Sequence, residues 1–144
     1  MPVVDASVVV DWVAPGADAA SPAVAALRRL ASEGADLVVP PLLLAEVGNA
    51  LLTGVRRGRW DGVAADAARR LLDELPVRIV DERRDLDRAW ELARRHDNHP
   101  LYDMVYAALA ERSDTTLITA DAALRRRLAG YEWVIAPEAL SSGP

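Results

Sequence analysis

Short apolar runs alternate with longer amphipathic stretches along this chain. Val3-Val4, Leu37-Val38-Val39, Val77 to Val80, Thr116 to Thr119 and Trp133-Val134-Ile135 are brief and rich in β-branched residues, and read as five strands, the first of them buried. Between them apolar residues recur at helical spacing. Ser7 to Val13 predicts a first short helix, stopped near Pro15-Gly16. Residues 18–33 carry Val24, Leu27 and Leu30 and end at Gly34. Leu42 to about Arg57 sets Leu44, Val47, Leu51 and Val55 on one face and Glu46, Asn49 and Thr53 on another. Asp61 to Leu75 turns Ala64, Ala67, Leu71 and Leu75 inward. Asp85 to Arg95 uses Leu86, Trp90 and Ala93, and Leu101 to Arg112 uses Leu101, Met104, Val105, Ala108 and Leu109. Asp121 to Leu128 predicts a last helix.

Strands alternating with helices predict an α/β fold: a parallel five-stranded sheet flanked by helices on both faces. The 144 residues suit one domain, over residues 1–137, with 138–144 expected as a flexible tail. In open parallel sheets ligands bind beyond the carboxyl ends of the strands. That edge is where chemistry is to be sought.

Composition narrows the chemistry. There is no cysteine, which excludes disulfides, thiolate metal sites and Cys nucleophiles. All 17 basic residues are Arg, which excludes Schiff-base and P-loop lysine mechanisms. The net charge of −5 argues against a plain nucleic-acid binder but not against a nuclease whose acids surround cations. No apolar stretch approaches the roughly 20 residues of a membrane span. The expectation is a cytoplasmic protein without a membrane anchor.

Four acids stand near predicted strand-to-helix junctions. Asp5 directly follows the first strand, and Asp121 follows Leu117-Ile118-Thr119. Glu46 lies about one turn into the helix leaving the second strand, and Asp103 lies in the first turn of its own helix. Singly, each has an ordinary explanation: Asp121 as a helix cap, Asp103 as a partner of the helix dipole, Glu46 as an exposed helix residue. Asp5 is harder to explain away, because an acid ending a buried strand has little expected structural purpose. Together they fall on one edge. Converging carboxylates repel unless a cation neutralises them, and hard cations such as Mg²⁺ and Mn²⁺ favour oxygen ligands. Such a site activates water and shields phosphate charge, which is nuclease or phosphatase chemistry. His96 and His99, flanking Asp97-Asn98, are weaker ligand candidates.

Four segments together resemble the PIN-domain family: Val3-Val4-Asp5-Ala6-Ser7-Val8, Glu46-Val47-Gly48-Asn49-Ala50-Leu51, His99-Pro100-Leu101-Tyr102-Asp103-Met104-Val105-Tyr106-Ala107-Ala108-Leu109-Ala110, and Leu117-Ile118-Thr119-Ala120-Asp121. Their order and spacing match from residue 2 to about 135, most closely as in VapC-type toxins of bacterial toxin–antitoxin pairs. The resemblance implies an Mg²⁺ or Mn²⁺ site formed by Asp5, Glu46, Asp103 and Asp121, supported by Ser7, Asn49 and Thr119. Some relatives carry a further acid where this chain has Thr119. It also implies hydrolysis of RNA to 5′-phosphate and 3′-hydroxyl products, a cognate antitoxin and a homodimer.

Three arginine groups, Arg56-Arg57 with Arg59, Arg94-Arg95 and Arg125 to Arg127, suit a solvated face or a helix carboxyl end. One of them can instead track an RNA backbone, and Arg56, Arg57 and Arg59 are the candidates carried forward. An antitoxin tail is expected to place an Arg or Lys among the acids and to pack apolar residues near Val9 and Trp12, or near Leu52 and Val55. Trp12 and Trp60 suit core or edge packing, or alternatively a partner surface. A haloacid-dehalogenase-like phosphatase would need a second Asp at position 7 and commonly a Lys; this chain has Ser7 and no Lys. A non-catalytic PIN scaffold, acting only by binding RNA or protein, would usually lack one or more of the acids, and a housekeeping PIN nuclease would carry the same four.

Overall fold

The structure, a computed structural model, describes residues 1–141. Its strands are β1 (Val3–Val4), β2 (Leu37–Val39), β3 (Val77–Ile79), β4 (Leu117–Ile118) and β5 (Val134–Ile135). They form one parallel sheet in the order β3-β2-β1-β4-β5. The helices are α1 (Ala6–Val13), α2 (Pro22–Ser32), α3 (Leu42–Arg56), α4 (Gly62–Glu74), α5 (Arg83–Arg95), α6 (Leu101–Arg112), α7 (Ala122–Arg127) and α8 (Glu138–Ser141). The central strands are wholly buried, with Val3, Val4, Leu117 and Ile118 all at 0% exposure. That is the pattern of a parallel sheet covered on both faces.

The order of the strands fixes where the site can be. From β1 the chain steps outward through β2 to β3, then returns across the sheet to β4 and β5 on the other side of β1. Right-handed crossovers in opposite directions place α1–α4 on one face and α5–α7 on the other. Accordingly α1 packs on α2, α3 and α4, while α5 packs on α6. The chain therefore leaves β1 and β4 toward opposite faces. Between their carboxyl ends lies the switch-point crevice of such sheets.

Local signals set most boundaries. Ser21 caps α2, with Pro22 at its first turn, and Gly34 ends the segment at φ +65. Asp61 caps α4 by accepting from the Ala64 N–H at 2.8 Å. Gly54 is required by contact: a Cβ there would come within 2.1 Å of the Trp60 ring, whose Nε1 donates to the Leu51 carbonyl at 2.9 Å. Trp12 likewise donates to the Ala23 carbonyl at 2.6 Å inside the core. Both tryptophans thus close helix packing.

Several expected faces are rotated. In α4 the buried residues are Ala65, Ala68 and Leu72, while Leu71 is 48% exposed. In α5 they are Asp85, Ala89, Leu92 and Ala93, leaving Leu86 and Trp90 outside. In α3 Leu43 is buried where Leu44 was expected. In α3 and α4 two neighbouring apolar stripes are available and tertiary packing chooses between them; in α5 the inward face is set by the bridge from Asp85 to Arg112. Val9 and Trp12, expected to receive a partner, are also buried and leave no surface for one; Leu52 is exposed.

Within the segment expected to be a tail, Glu138–Ser141 form the turn α8, which packs on α2 and accepts a hydrogen bond from Arg29 at the Leu140 carbonyl. Residues 142–144 of that expectation lie outside the described residues. No described helix is long and apolar enough to cross a membrane.

Candidate active site

Asp5, Glu46, Asp103 and Asp121 line one small pocket of about 170 Å³, together with Ala6, Ser7 and Tyr106. Each acid arrives from a different element. Asp5 joins β1 to α1, and its N–H donates to the Ile118 carbonyl at 3.1 Å, which ties it to β4. Asp121 joins β4 to α7. Glu46 comes from α3 and Asp103 from the first turn of α6. A larger hollow of about 490 Å³ is lined by Thr115, Thr116 and Trp133. It opens where β4 and β5 begin, at the wrong edge for chemistry in this topology.

Asp5 is only 5% exposed. It caps α1, with Oδ1 accepting from the Ser7 N–H at 2.6 Å and also from the Ser7 hydroxyl. The expectation that Asp5 has little structural purpose is therefore corrected: it is a helix cap as well as a pocket residue. Ser7 in turn accepts from the Ala120 N–H at 3.0 Å, tying the β1 turn to the β4 turn. Thr119 is fully buried; its hydroxyl accepts from the Asp121 N–H at 3.1 Å and lies 3.4 Å from that of Ser7. Asp121 Oδ1 accepts from the Ala123 and Leu124 N–H groups at 2.9 and 3.1 Å.

The two helix-borne acids each have a side-chain donor. Tyr106 donates to Glu46 Oε1 at 2.6 Å, and His99 Nε2 donates to Asp103 Oδ2 at 2.7 Å. Neither residue was expected to act here, and His99 was weighed only as a direct ligand. The signal in the sequence was spacing: Tyr106 stands three after Asp103 on one face of α6, and His99 four before it, just ahead of the helix. His99 is aimed by the preceding turn, where Asp97 and Asn98 both adopt left-handed backbone, φ 56 and 57. These residue types tolerate that conformation best after glycine.

The electrostatics follow from burial. Desolvation pushes the Asp5 carboxyl above its ordinary value; bonds from Ser7 and Thr119 oppose this, and the Asp103 charge adds to it. Desolvation raises Glu46 too, against the Tyr106 bond and with the charges of Asp103 and Asp5. Tyr106 is pushed well above its usual range, first by burial and then by Glu46, so it remains an O–H donor at neutral pH. No ion pair to any of the four acids is formed by an arginine among the described residues.

Asn49 is exposed and does not line the pocket, although it shares the Glu46 helix. Arg56 is the last residue of that helix, Arg57 its C-cap and Arg59 lies just beyond, and all three are exposed. Arg56 lies ten residues from Glu46, about 15 Å along the axis at 1.5 Å per residue. Arg125 is nearer, since its guanidinium donates to the Thr119 carbonyl at 2.7 Å.

The donor set fits a hard cation: all carboxylate oxygen, no sulfur, and unneutralised negative charge. Among the described residues no three His, Cys, Asp or Glu side chains already stand in ligating geometry round one point. A small octahedral cation does not need that, because it binds through one or two carboxylates and keeps several waters.

Comparison with known proteins agrees with this layout. Residues 3–128 match the family described as PIN domain. A protein named Ribonuclease VapC1 from Mycobacterium tuberculosis, in strains CDC 1551 / Oshkosh and ATCC 25618 / H37Rv, is 40% identical over 128 residues, covering 85% of this chain and 86% of its own length. The crystal structure of PAE2754 from Pyrobaculum aerophilum superposes with a TM-score of 0.71 at 24% identity, over 99% of this chain and 96% of that one. That of Mycobacterium tuberculosis VapC20, described as a sarcin-ricin loop cleaving toxin, gives 0.64 at 21%, over 93% and 98%. These last two likenesses are of fold.

Proposed function

The chain belongs to the PIN-domain family, and from that membership we propose that it is an endoribonuclease dependent on Mg²⁺ or Mn²⁺ and the toxin of a toxin–antitoxin pair. The observation that carries the reading is the buried Asp5, which shares a pocket with three other carboxylates and has no cationic partner among the described residues.

In this reading Asp5, Glu46, Asp103 and Asp121 hold the cation. When bound, the cation lowers the cost of deprotonating water and offsets charge on the scissile phosphate. The chain's own residues do the rest. Ser7 and the α1 cap fix Asp5, the α7 cap fixes Asp121, and the bond between the β1 and β4 turns holds the two at a set separation. A free carboxylate oxygen of the four accepts the proton of the attacking water. Phosphorus gains the oxygen of the water and the bond to the 3′ oxygen breaks; the departing 3′ oxygen takes a proton from solvent, leaving a 5′ phosphate and a 3′ hydroxyl. No side-chain nucleophile is required.

RNA reaches the pocket past basic groups. Arg125 stands closer to it than Arg56, Arg57 and Arg59, which serve at most a distant part of the backbone. The protein partner is an antitoxin whose tail brings an Arg or Lys to the acids. The groove beside the exposed Leu52, lined by Gly48, Leu51, Ala65 and Arg69, receives its apolar residues. A homodimer and a cytoplasmic site of action complete the reading.

The direct test incubates purified protein with structured RNA, with and without Mn²⁺. Cleavage that needs the cation and stops with chelator is expected; equal cleavage under chelator refutes the metal centre. Expression alone should arrest growth, and co-expression with the neighbouring small gene should restore it. Harmless expression with no co-purifying product removes the toxin role while leaving the nuclease.

A further inference from the structure

We propose that Tyr106 and His99 determine metal specificity: by occupying one oxygen of Glu46 and one of Asp103, they keep the pocket selective for a small octahedral cation over calcium. The proposal rests on the reading of the pocket as a metal centre and adds to it which cation the pocket refuses and why.

All four acids are alike in one respect: each has one oxygen committed to a donor of the chain itself. Asp5 Oδ1 takes both the N–H and the hydroxyl of Ser7, and Asp121 Oδ1 takes two N–H groups of its own helix. Those two commitments belong to helix caps and come with the fold. Glu46 Oε1 and Asp103 Oδ2 are held differently, by the single side-chain donors Tyr106 and His99. Glu46 Oε2, Asp103 Oδ1 and Asp121 Oδ2 accept no hydrogen bond among the described residues.

A carboxylate with one oxygen engaged presents the other to a cation and does not chelate with both. Single-oxygen ligation suits Mg²⁺ or Mn²⁺, which require near-octahedral geometry with short bonds and retained waters. Calcium takes 6–8 oxygens at longer distance and commonly gains them from bidentate carboxylates. Both donors are secured. Tyr106 is 1% exposed and its hydroxyl donates to Glu46 Oε1 at 2.6 Å from within the core. The His99 side chain is 13% exposed and is aimed by the Asp97-Asn98 turn.

The test is calorimetric titration of Mn²⁺ and of Ca²⁺ into the wild type, Tyr106→Phe, His99→Leu and His99→Gln. The wild type should prefer Mn²⁺. Tyr106→Phe and His99→Leu, each releasing a second carboxylate oxygen, should lower the ratio of the Ca²⁺ to the Mn²⁺ dissociation constant by about tenfold, within the range by which outer-shell partners tune metal sites. His99→Gln, which keeps an N–H donor, should hold the wild-type ratio. A merely structural role would weaken both cations together and leave the ratio unchanged, and that result overturns the proposal. Should Tyr106→Phe not fold, His99→Leu with its Gln control decides. If the wild type binds Mn²⁺ but the variants keep its ratio, only the selectivity claim fails. If the wild type binds neither cation, the metal centre itself fails and this proposal with it.

Discussion

Two aspartates of this molecule are buried to the same 5% exposure and are treated in opposite ways. Asp85, in the first turn of α5, faces Arg112 of α6 in a two-pronged bridge, Nε to Oδ1 at 2.6 Å and a second nitrogen to Oδ2 at 2.9 Å. Its charge is answered inside the fold, and the bridge pins the two helices that pack most closely. Asp5 receives hydrogen bonds but no cation, and its charged neighbours are other acids. Burying a charge without a counter-charge is costly, so folds ordinarily avoid it. The difference separates an acid that serves the structure from one held ready for something the chain does not contain.

Four results can break or sharpen that contrast. Removing divalent cations should have the largest effect. RNA cleavage is expected to vanish in excess chelator and return with Mn²⁺, while the Asp85–Arg112 bridge and the fold, followed by circular dichroism, stay unchanged. Next is Asp85→Asn, which strands Arg112. It should cost about 2 kcal/mol by urea unfolding, less than a fully buried pair because the Arg112 side chain is 28% exposed. The folded fraction should keep its cleavage rate; a rate that collapsed with the fold intact would erase the distinction.

A smaller effect is expected on melting temperature. Mn²⁺ should stabilise the wild type by about 1.4 kcal/mol at ten times its dissociation constant, through preferential binding to the folded state. The same addition should do little for Asp5→Asn, and an equal rise in both proteins would locate the cation elsewhere.

The smallest concerns pH in metal-free protein. Burial holds the Asp5 carboxyl above its ordinary 3.8, so the folded state binds this proton more tightly than the unfolded state. The favourable contribution is full below the ordinary value and is lost as pH rises through the raised one. Asn caps a helix as well as Asp does. Asp5→Asn should therefore be at least as stable as wild type at neutral pH, and the gap should close on acidification toward the ordinary carboxylate range. A gap that widened on acidification would make charged Asp5 a stabilising group and contradict its assignment.

Much of this was legible before the structure. The strands were readable because a parallel sheet covered on both faces demands short, wholly apolar runs, and Val3-Val4 and Leu117-Ile118 are that. Three of the acids were readable because they stand at or within one turn of a strand-to-helix junction, and topology alone brings such junctions to one edge; Asp103, expected at such a junction too, instead follows the turn between helices α5 and α6. Helix rotation was not readable. In α4 the stripes Ala64-Ala67-Leu71 and Ala65-Ala68-Leu72 differ by one residue and hardly at all in hydropathy. In α5 the pattern favoured Leu86 and Trp90, because a buried Asp85 makes sense only once Arg112, 27 residues later, is known to meet it. Tyr106 was missed for the same reason, whereas His99 stands only four residues from Asp103 and its role was open to reading from that spacing. The bond from Tyr106 to Glu46 spans 60 residues and two helices, and no local pattern encodes it.

The most direct test of the central claim compares RNA cleavage by wild type and Asp5→Asn in the same Mn²⁺ buffer, with circular dichroism and unfolding midpoints recorded on both. Asn keeps the α1 cap and removes only the charge. The account predicts a native fold, unimpaired metal-free stability, and a rate lowered by more than about a hundredfold, beyond the loss from an outer-shell partner alone. A variant that cuts structured RNA at close to the wild-type rate would contradict it, leaving Asp5 as a helix cap and nothing more.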